Sequence, residues 1–113
     1  MCGDFNIARD ERDVWSVKAM EGCTHFTPEE HAALDQLEAF GLRDCFRKHD
    51  QEPGRFTWFD YRKGSWEKRQ GMRIDYIYAT EGTYERCAEV THDWEPRDWD
   101  APSDHVPVTA RFT

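Results

Sequence analysis

Five side chains carry the chemistry open to this sequence: Asp4, Asn6, Asp75, Asp104 and His105. Each stands at the end of a β-prone run or beside a turn. Oxygen donors of this kind suit a hard cation such as Mg²⁺, which keeps several waters and needs only one or two carboxylates plus a substrate phosphate. A histidine held by a buried Asp can donate to a phosphate oxygen, because the carboxylate favours its protonated form. A free carboxylate nearby can orient or deprotonate an attacking water. Brought together, the five would cleave a phosphodiester. Each also has a plainer reading. Asp104-His105 fits a solvated turn, Asp4 and Asn6 fit a turn cap, and Asp75 fits a structural carboxylate paired with Arg73 or a backbone donor.

The elements that must position them follow from pattern. Asp104 and His105 lie between Pro102 and Pro107, which limit the backbone there. A strand follows, with Val106, Val108 and Ala110 on one face and Thr109 and Arg111 on the other. Residues 72–80 are expected to form the best strand. Ile74, Tyr76 and Tyr78 share one face; Asp75 shares the other with Ile77 and Ala79, an apolar face expected to be buried. A buried carboxylate needs a partner. Asp4 and Asn6 project from one side of a strand end, with little room for a strand before Gly3. The abrupt start reads as a cut through an element.

Thr27-Pro28-Glu29-Glu30 supplies an N-cap, a first-turn proline and a capping-box Glu. Ala33, Leu37 and Phe40, with Leu34, give an apolar stripe, and Gly41 a stop. A helix over 28–40 is expected. Residues 9–26 read as loop with a short helical turn, Trp15 packing back onto the body. Residues 42–47 read as a connecting turn, 48–55 as loop, 56–61 as an aromatic strand, 62–71 as a mobile hairpin loop, 84–93 as a strand and 93–100 as loop.

The 113 residues suffice for one small domain. Apolar residues make up 38% and aromatics 14%, too many rings for a disordered chain. The net charge of −8 makes the chain a poor generic nucleic-acid binder; any anion must meet a local basic patch or a bound cation. The four cysteines show no zinc spacing, and free thiols in a reducing cytoplasm account for them. No signal peptide, membrane-length apolar run or internal repeat is present. Arg62, Lys63, Lys68, Arg69 and Arg73 form the main basic cluster, either a solvated face or a set of DNA phosphate contacts. Arg43, Arg47 and Lys48 form a second. His25, His31, His49 and His92 have no partner pattern and are expected at the surface.

Four segments in order, Gly3-Asp4-Phe5-Asn6, Trp58-Phe59-Asp60-Tyr61-Arg62, Gly71-Met72-Arg73-Ile74-Asp75-Tyr76 and Ser103-Asp104-His105-Val106-Pro107-Val108, resemble motifs of the exonuclease III family of abasic-site endonucleases. These belong to the endonuclease/exonuclease/phosphatase superfamily. The likeness covers nearly the whole chain. It implies an α/β fold, half of a two-sheet DNase I-like sandwich with mainly antiparallel strands. It implies DNA repair with Mg²⁺ or Mn²⁺: endonucleolytic cutting at abasic sites in double-stranded DNA and 3′-end trimming. Residue by residue, Asp4 resembles the acid that positions or deprotonates water. Asn6 resembles the amide that holds water and phosphate. Asp75 resembles the acid that orients the histidine, Asp104 a metal-site carboxylate, and His105 the phosphate-contacting histidine. Trp58, Met72 and Ile74 resemble an apolar pocket for a flipped-out, base-less sugar, which a normal base would overfill.

The family's first half has no counterpart here, and with it go an early Asn, a metal-binding Glu and a catalytic Tyr. The resemblance is thus to a C-terminal half, and the isolated chain is expected to be weakly active or inactive. Two other readings stay open. One is a non-catalytic fragment that self-associates or pairs with an N-terminal half; the other is a superfamily phosphoesterase acting on a non-DNA phosphate.

Overall fold

The computed structural model describes residues 1–62 and 64–113. It opens on β1 (Cys2–Asp4), a strand where the sequence left little room for one. A 3-10 turn (Glu11–Asp13) and a one-turn helix, α1 (Val17–Met20), occupy the 9–26 segment. Each starts on a side-chain cap: Asp10 accepts from the Arg12 N–H and Ser16 from the Ala19 N–H. Trp15 stays 41% exposed and does not pack back as expected.

Helix α2 (Pro28–Phe40) has the expected bounds and cause. Thr27 Oγ1 accepts from the Glu30 N–H, and the Glu30 carboxylate accepts from the Thr27 N–H. Gly41, at φ 115°, closes the helix in the left-handed region that glycine tolerates. The apolar stripe is narrower than expected. Leu34 is buried, but Phe40 is 83% exposed. Arg9 instead ties the outer face to Asp35 and Glu38.

Strand β2 (Arg43–Asp44) stands where a connecting turn was expected, because these residues pair with Ala79 and Tyr78. Helices α3 (Phe46–His49) and α4 (Ser65–Lys68) follow. The latter falls inside the expected hairpin loop and is anchored by Trp66, which packs edge-on against Phe59 and Trp94. Strand β3 (Asp75–Ala79) is shorter than the expected 72–80. Helix α5 (Glu81–Glu85), strand β4 (Cys87–His92), a 3-10 turn (Glu95–Asp98) and strand β5 (Val108–Phe112) complete the chain.

Among the described residues two antiparallel sheets result, one in the order β1-β3-β2 and the other a β4-β5 pair. Residues 56–61 are not a regular strand. Trp58 alone bridges, to Met72 on one side and His105 on the other. The Thr57 and Trp58 N–H groups both donate to the Met72 carbonyl. Two residues opposing one is the bulge pattern that ends regular pairing.

The core lies on the Ile74, Tyr76 and Tyr78 face of β3, each 2% exposed or less. Asp75 and Ile77 lie on the half-covered face, not on the fully buried one expected. A shallow groove of about 240 Å³ runs there, lined by Cys2, Asp4, Asp75, Ile77, Val106 and Val108 among others. Cys45 and Cys87 are buried free thiols; burial pushes the Cys45 thiol up to about 12, helped by the neighbouring Cys87. No helix among the described residues is long and apolar enough to cross a membrane.

Candidate active site

The β1–β3 register sets Asp4 directly opposite Asp75. Like charges facing each other across a ladder repel, so a proton or a cation belongs between them. His105 takes that place. Its Nδ1 lies 3.0 Å from Asp75 Oδ2 and its Nε2 lies 3.5 Å from Asp4 Oδ2. The result is an Asp–His–Asp ladder built from both ends of the chain and its middle.

His105 is held by its neighbours on the bulged segment. The Val106 N–H donates to the Thr57 carbonyl at 2.8 Å, and the Phe59 N–H to the Asp104 carbonyl at 2.9 Å. The His105 N–H donates to Ser103 Oγ at 3.1 Å. Asp104 turns towards Trp58: its Oδ2 accepts from the Trp58 indole N–H at 3.0 Å, while Oδ1 stays 4.0 Å from His105 Nε2. Asp75 owes its electrostatics to burial, which pushes its carboxyl above the usual range. Hydrogen bonds from Thr57 and His105 pull it down, and Asp4 pushes it up again. Thr57 is fully buried, and its Oγ1 accepts from the Ile74 and Asp75 N–H groups. Its hydroxyl proton thereby remains for the Asp75 carboxylate.

Asp4, Asp75 and His105 each offer a ligand atom, all within 4.8 Å of one another. Asp104, the expected metal carboxylate, is not in that group. The donors fit a hard or borderline divalent ion: two carboxylates suit Mg²⁺ or Mn²⁺, and the imidazole suits the latter better. Asn6 sits beside them in a tight turn at φ 56°, its N–H donating to Asp4 Oδ1 at 2.9 Å.

Of the three expected pocket residues, Trp58 is half-buried, while Met72 and Ile74 are each 2% exposed. The last two join Ala8, Val14 and Phe26 in an apolar cluster against which Trp58 packs. They back the Trp58 ring and do not themselves open onto solvent.

The basic cluster is not one surface. Arg73 is fully buried, bonded to Asp13 at 2.8 and 3.1 Å and to Asp44 at 2.6 Å. It is therefore unavailable to phosphate, and it is the partner of Asp13 and Asp44, not of Asp75. Arg62 is 82% exposed and paired with Asp60. Arg69 lies 3.6 Å over the Trp66 ring. Lys68 is exposed. Lys63 lies outside the described residues. In the second cluster, Arg47 pairs with Asp13 and the Lys48 Nζ donates to carbonyls of residues 84, 85 and 87.

Of the histidines expected at the surface, His49 is exposed, with its Nε2 meeting the Cys87 carbonyl, while half-buried His92 stacks on Phe46 and half-buried His31 packs edge-on against Phe26. His25 reaches the site itself, with Nδ1 2.6 Å from the Asn6 carbonyl and its ring 6.3 Å from that of Trp58. Nothing in the sequence pattern marked it. Thr57 was also missed, although its place between two aromatics in a β-prone run could have flagged an inward hydroxyl.

Helices beside antiparallel sheets in this order form part of a DNase I-like α/β fold. The chain belongs to the Endonuclease/Exonuclease/phosphatase family, which it matches over residues 1–105. It is 36% identical over 110 residues to exodeoxyribonuclease III of Haemophilus influenzae, covering 96% of this chain and 40% of that protein. It is 30% identical to the DNA repair nuclease APEX1 of Danio rerio, covering 96% of this chain and 34% of the relative. Among solved structures, a 3′-5′ exonuclease from Neisseria meningitidis superposes with a TM-score of 0.94 at 35% identity. The match covers 98% of this chain and 43% of that one. An AP endonuclease from Archaeoglobus fulgidus gives 0.88 at 33% identity, covering 98% and 44%. A Neisseria 3′ phosphatase bound to a product DNA hairpin gives 0.96 at 34%, covering 99% and 44%. The chain thus spans less than half the length of each of these proteins.

Proposed function

We propose that this chain carries the strand-end chemistry of a Mg²⁺- or Mn²⁺-dependent DNA-repair phosphodiesterase. The whole enzyme would cut double-stranded DNA at abasic sites and trim 3′ ends, with the isolated chain weakly active or inactive. The observation that carries the reading is the ladder in which one imidazole spans two carboxylates that face each other across β1 and β3. Asp75 fixes the ring through Nδ1, so that Nε2 points to the Asp4 side, where a phosphate oxygen would accept its proton. Asp4 orients or deprotonates the attacking water. Asn6 holds water and phosphate beside it. Asp104 braces the Trp58 indole and has an oxygen left for a cation shared with Asp4. A bound divalent ion would supply charge neutralisation at the phosphate. Trp58 would present its face to a base-less sugar.

DNA as substrate rests on relatives whose names are DNA-repair nucleases and on one neighbour bound to a DNA hairpin. In the intact protein an N-terminal half would supply the Glu and Tyr roles that have no match here. Free thiols favour a reducing cytoplasm. The test is nicking of a duplex carrying one abasic analogue, with and without Mg²⁺, beside the Asp4→Asn variant. Metal-dependent nicking lost in the variant supports the reading. Nicking that survives both EDTA and Asp4→Asn overturns it, and a folded chain that neither nicks nor binds the duplex overturns it for the chain alone.

A second reading rests on the half-covered face of β3. Ile77, Val106 and Val108 line a groove beside the catalytic acids, and an uncovered apolar face invites association. Light scattering decides this: a clean monomer at micromolar concentration argues against self-association.

A further inference from the structure

His25 and Asn6 both adopt left-handed backbone conformations, at φ 82° and 56°. Neither is glycine. Such conformations are strained and persist where the surroundings over-determine them, often at functional sites. The surroundings of His25 do so. The Ala8 N–H donates to its carbonyl at 2.8 Å. Phe26, the next residue, is 9% exposed in the cluster behind Trp58. Thr27, the residue after, opens the capping box of α2. The ring is thereby delivered to Asn6 with Nδ1 2.6 Å from its carbonyl. A carbonyl only accepts, so Nδ1 carries the proton.

From there a continuous chain of contacts runs into the ladder. The Asn6 N–H donates to Asp4 Oδ1 at 2.9 Å, which fixes the rotation of that carboxylate. Asp4 Oδ2 then faces His105 Nε2 at 3.5 Å. The His25 ring centroid lies 6.3 Å from that of Trp58. We propose that His25 is a positioning residue of this site: through the Asn6 carbonyl it holds the turn that aims Asp4 at His105. The inference rests on the function proposed above.

The test uses the full chain and three variants. His25→Gly tolerates the positive φ and removes the donor, so its fold survives. His25→Ala removes the donor and keeps the strain. His25→Asn tolerates the positive φ and restores an N–H donor. One arm is NMR without DNA. The Asn6 amide should shift and lose protection from exchange in the Gly and Ala variants and keep both in Asn. The other arm is nicking kinetics on the abasic duplex. There kcat should fall about five- to tenfold in Gly and Ala, as for loss of one hydrogen bond, with KM within twofold and with recovery in Asn. An Asn6 amide unmoved in the Gly variant overturns the inference, as does wild-type kcat in that variant. A wild-type chain that does not nick matches the weak or absent activity expected of an isolated C-terminal half. The NMR arm then decides on His25 alone.

Discussion

Nδ1 of His105 lies 3.0 Å from Oδ2 of Asp75, a side chain only 14% exposed. The contact orients the ring, but the carboxylate is poorly placed for stability. Burial pushes the Asp75 carboxyl above its ordinary value. A group whose folded value is raised contributes stability below its unfolded value and loses it as pH rises through the folded one. At neutral pH the ionised Asp75 therefore weakens the fold. Asp75→Asn should show a Tm at pH 7 equal to or above that of the parent chain, with any nicking reduced about 10²-fold. A Tm several degrees lower would make Asp75 a structural residue.

Arg73 should behave in the opposite way. It is fully buried between Asp13 and Asp44, and Arg47 shares Asp13. Removing the guanidinium strands buried carboxylate, and breaking one side of such a network costs about 3–5 kcal/mol. Arg73→Met should lower the urea midpoint sharply. Arg73→Lys should recover part of it, since an ammonium cannot reproduce the fork geometry. Loss of DNA affinity in Arg73→Met without loss of stability would return Arg73 to the phosphate-contacting surface.

The difference between these two residues shows what the sequence made legible. Asp4, Asp75 and His105 could be picked out because each stands in a short motif beside a strand or turn; the β1–β3 register joins the two acids, and the Trp58 bridge brings in His105. Helix α2 was readable because its cap, proline and stop are local. Arg73 was misread because charge in a sequence says nothing of burial, and its partner Asp13 lies 60 positions away. Residues 56–61 were misread as a strand because Phe56 and Phe59 are aromatic for packing with Trp66 and Trp94, while Thr57 and Trp58 share one acceptor. His25 was invisible because a backbone at φ 82° brings it to Asn6.

His92 gives the fold an acid limit. Its ring stacks on Phe46 with centroids 4.1 Å apart, and burial pushes its pKa down to about 4, with Arg73 adding to the effect. The unfolded chain binds a proton there near pH 6.5 and the folded chain does not. Stability held above that pH is therefore lost as pH falls from about 6.5 towards about 4, by up to roughly 3 kcal/mol. Urea midpoints across this window should fall for the parent chain and flatten in His92→Phe. Equal slopes in the two would remove His92 as the cause.

Gly71 carries the sharpest packing constraint near the site. A Cβ built there would lie 2.5 Å from the Trp58 carbonyl and 2.7 and 2.8 Å from atoms of the Phe59 ring. The backbone carbonyl cannot swing aside like a flexible side chain, because the Met72 N–H donates to it at 3.0 Å. Gly71→Ala should then cost about 1–3 kcal/mol, as overpacking does. The displacement falls on Trp58, which bridges His105 and donates its indole N–H to Asp104. Discrimination between abasic and intact duplex should weaken beyond what the stability loss explains. Gly82, inside α5, is the matched control, since a Cβ there meets nothing within 4 Å. Gly82→Ala should leave stability level or raise it by up to about 1 kcal/mol, by helix propensity alone. Equal destabilisation in the two variants would mean that glycine matters here for backbone freedom and not for the space beneath Trp58. A large loss in Gly71→Ala alone ties the fit of that backbone to the placement of the Trp58 ring and His105.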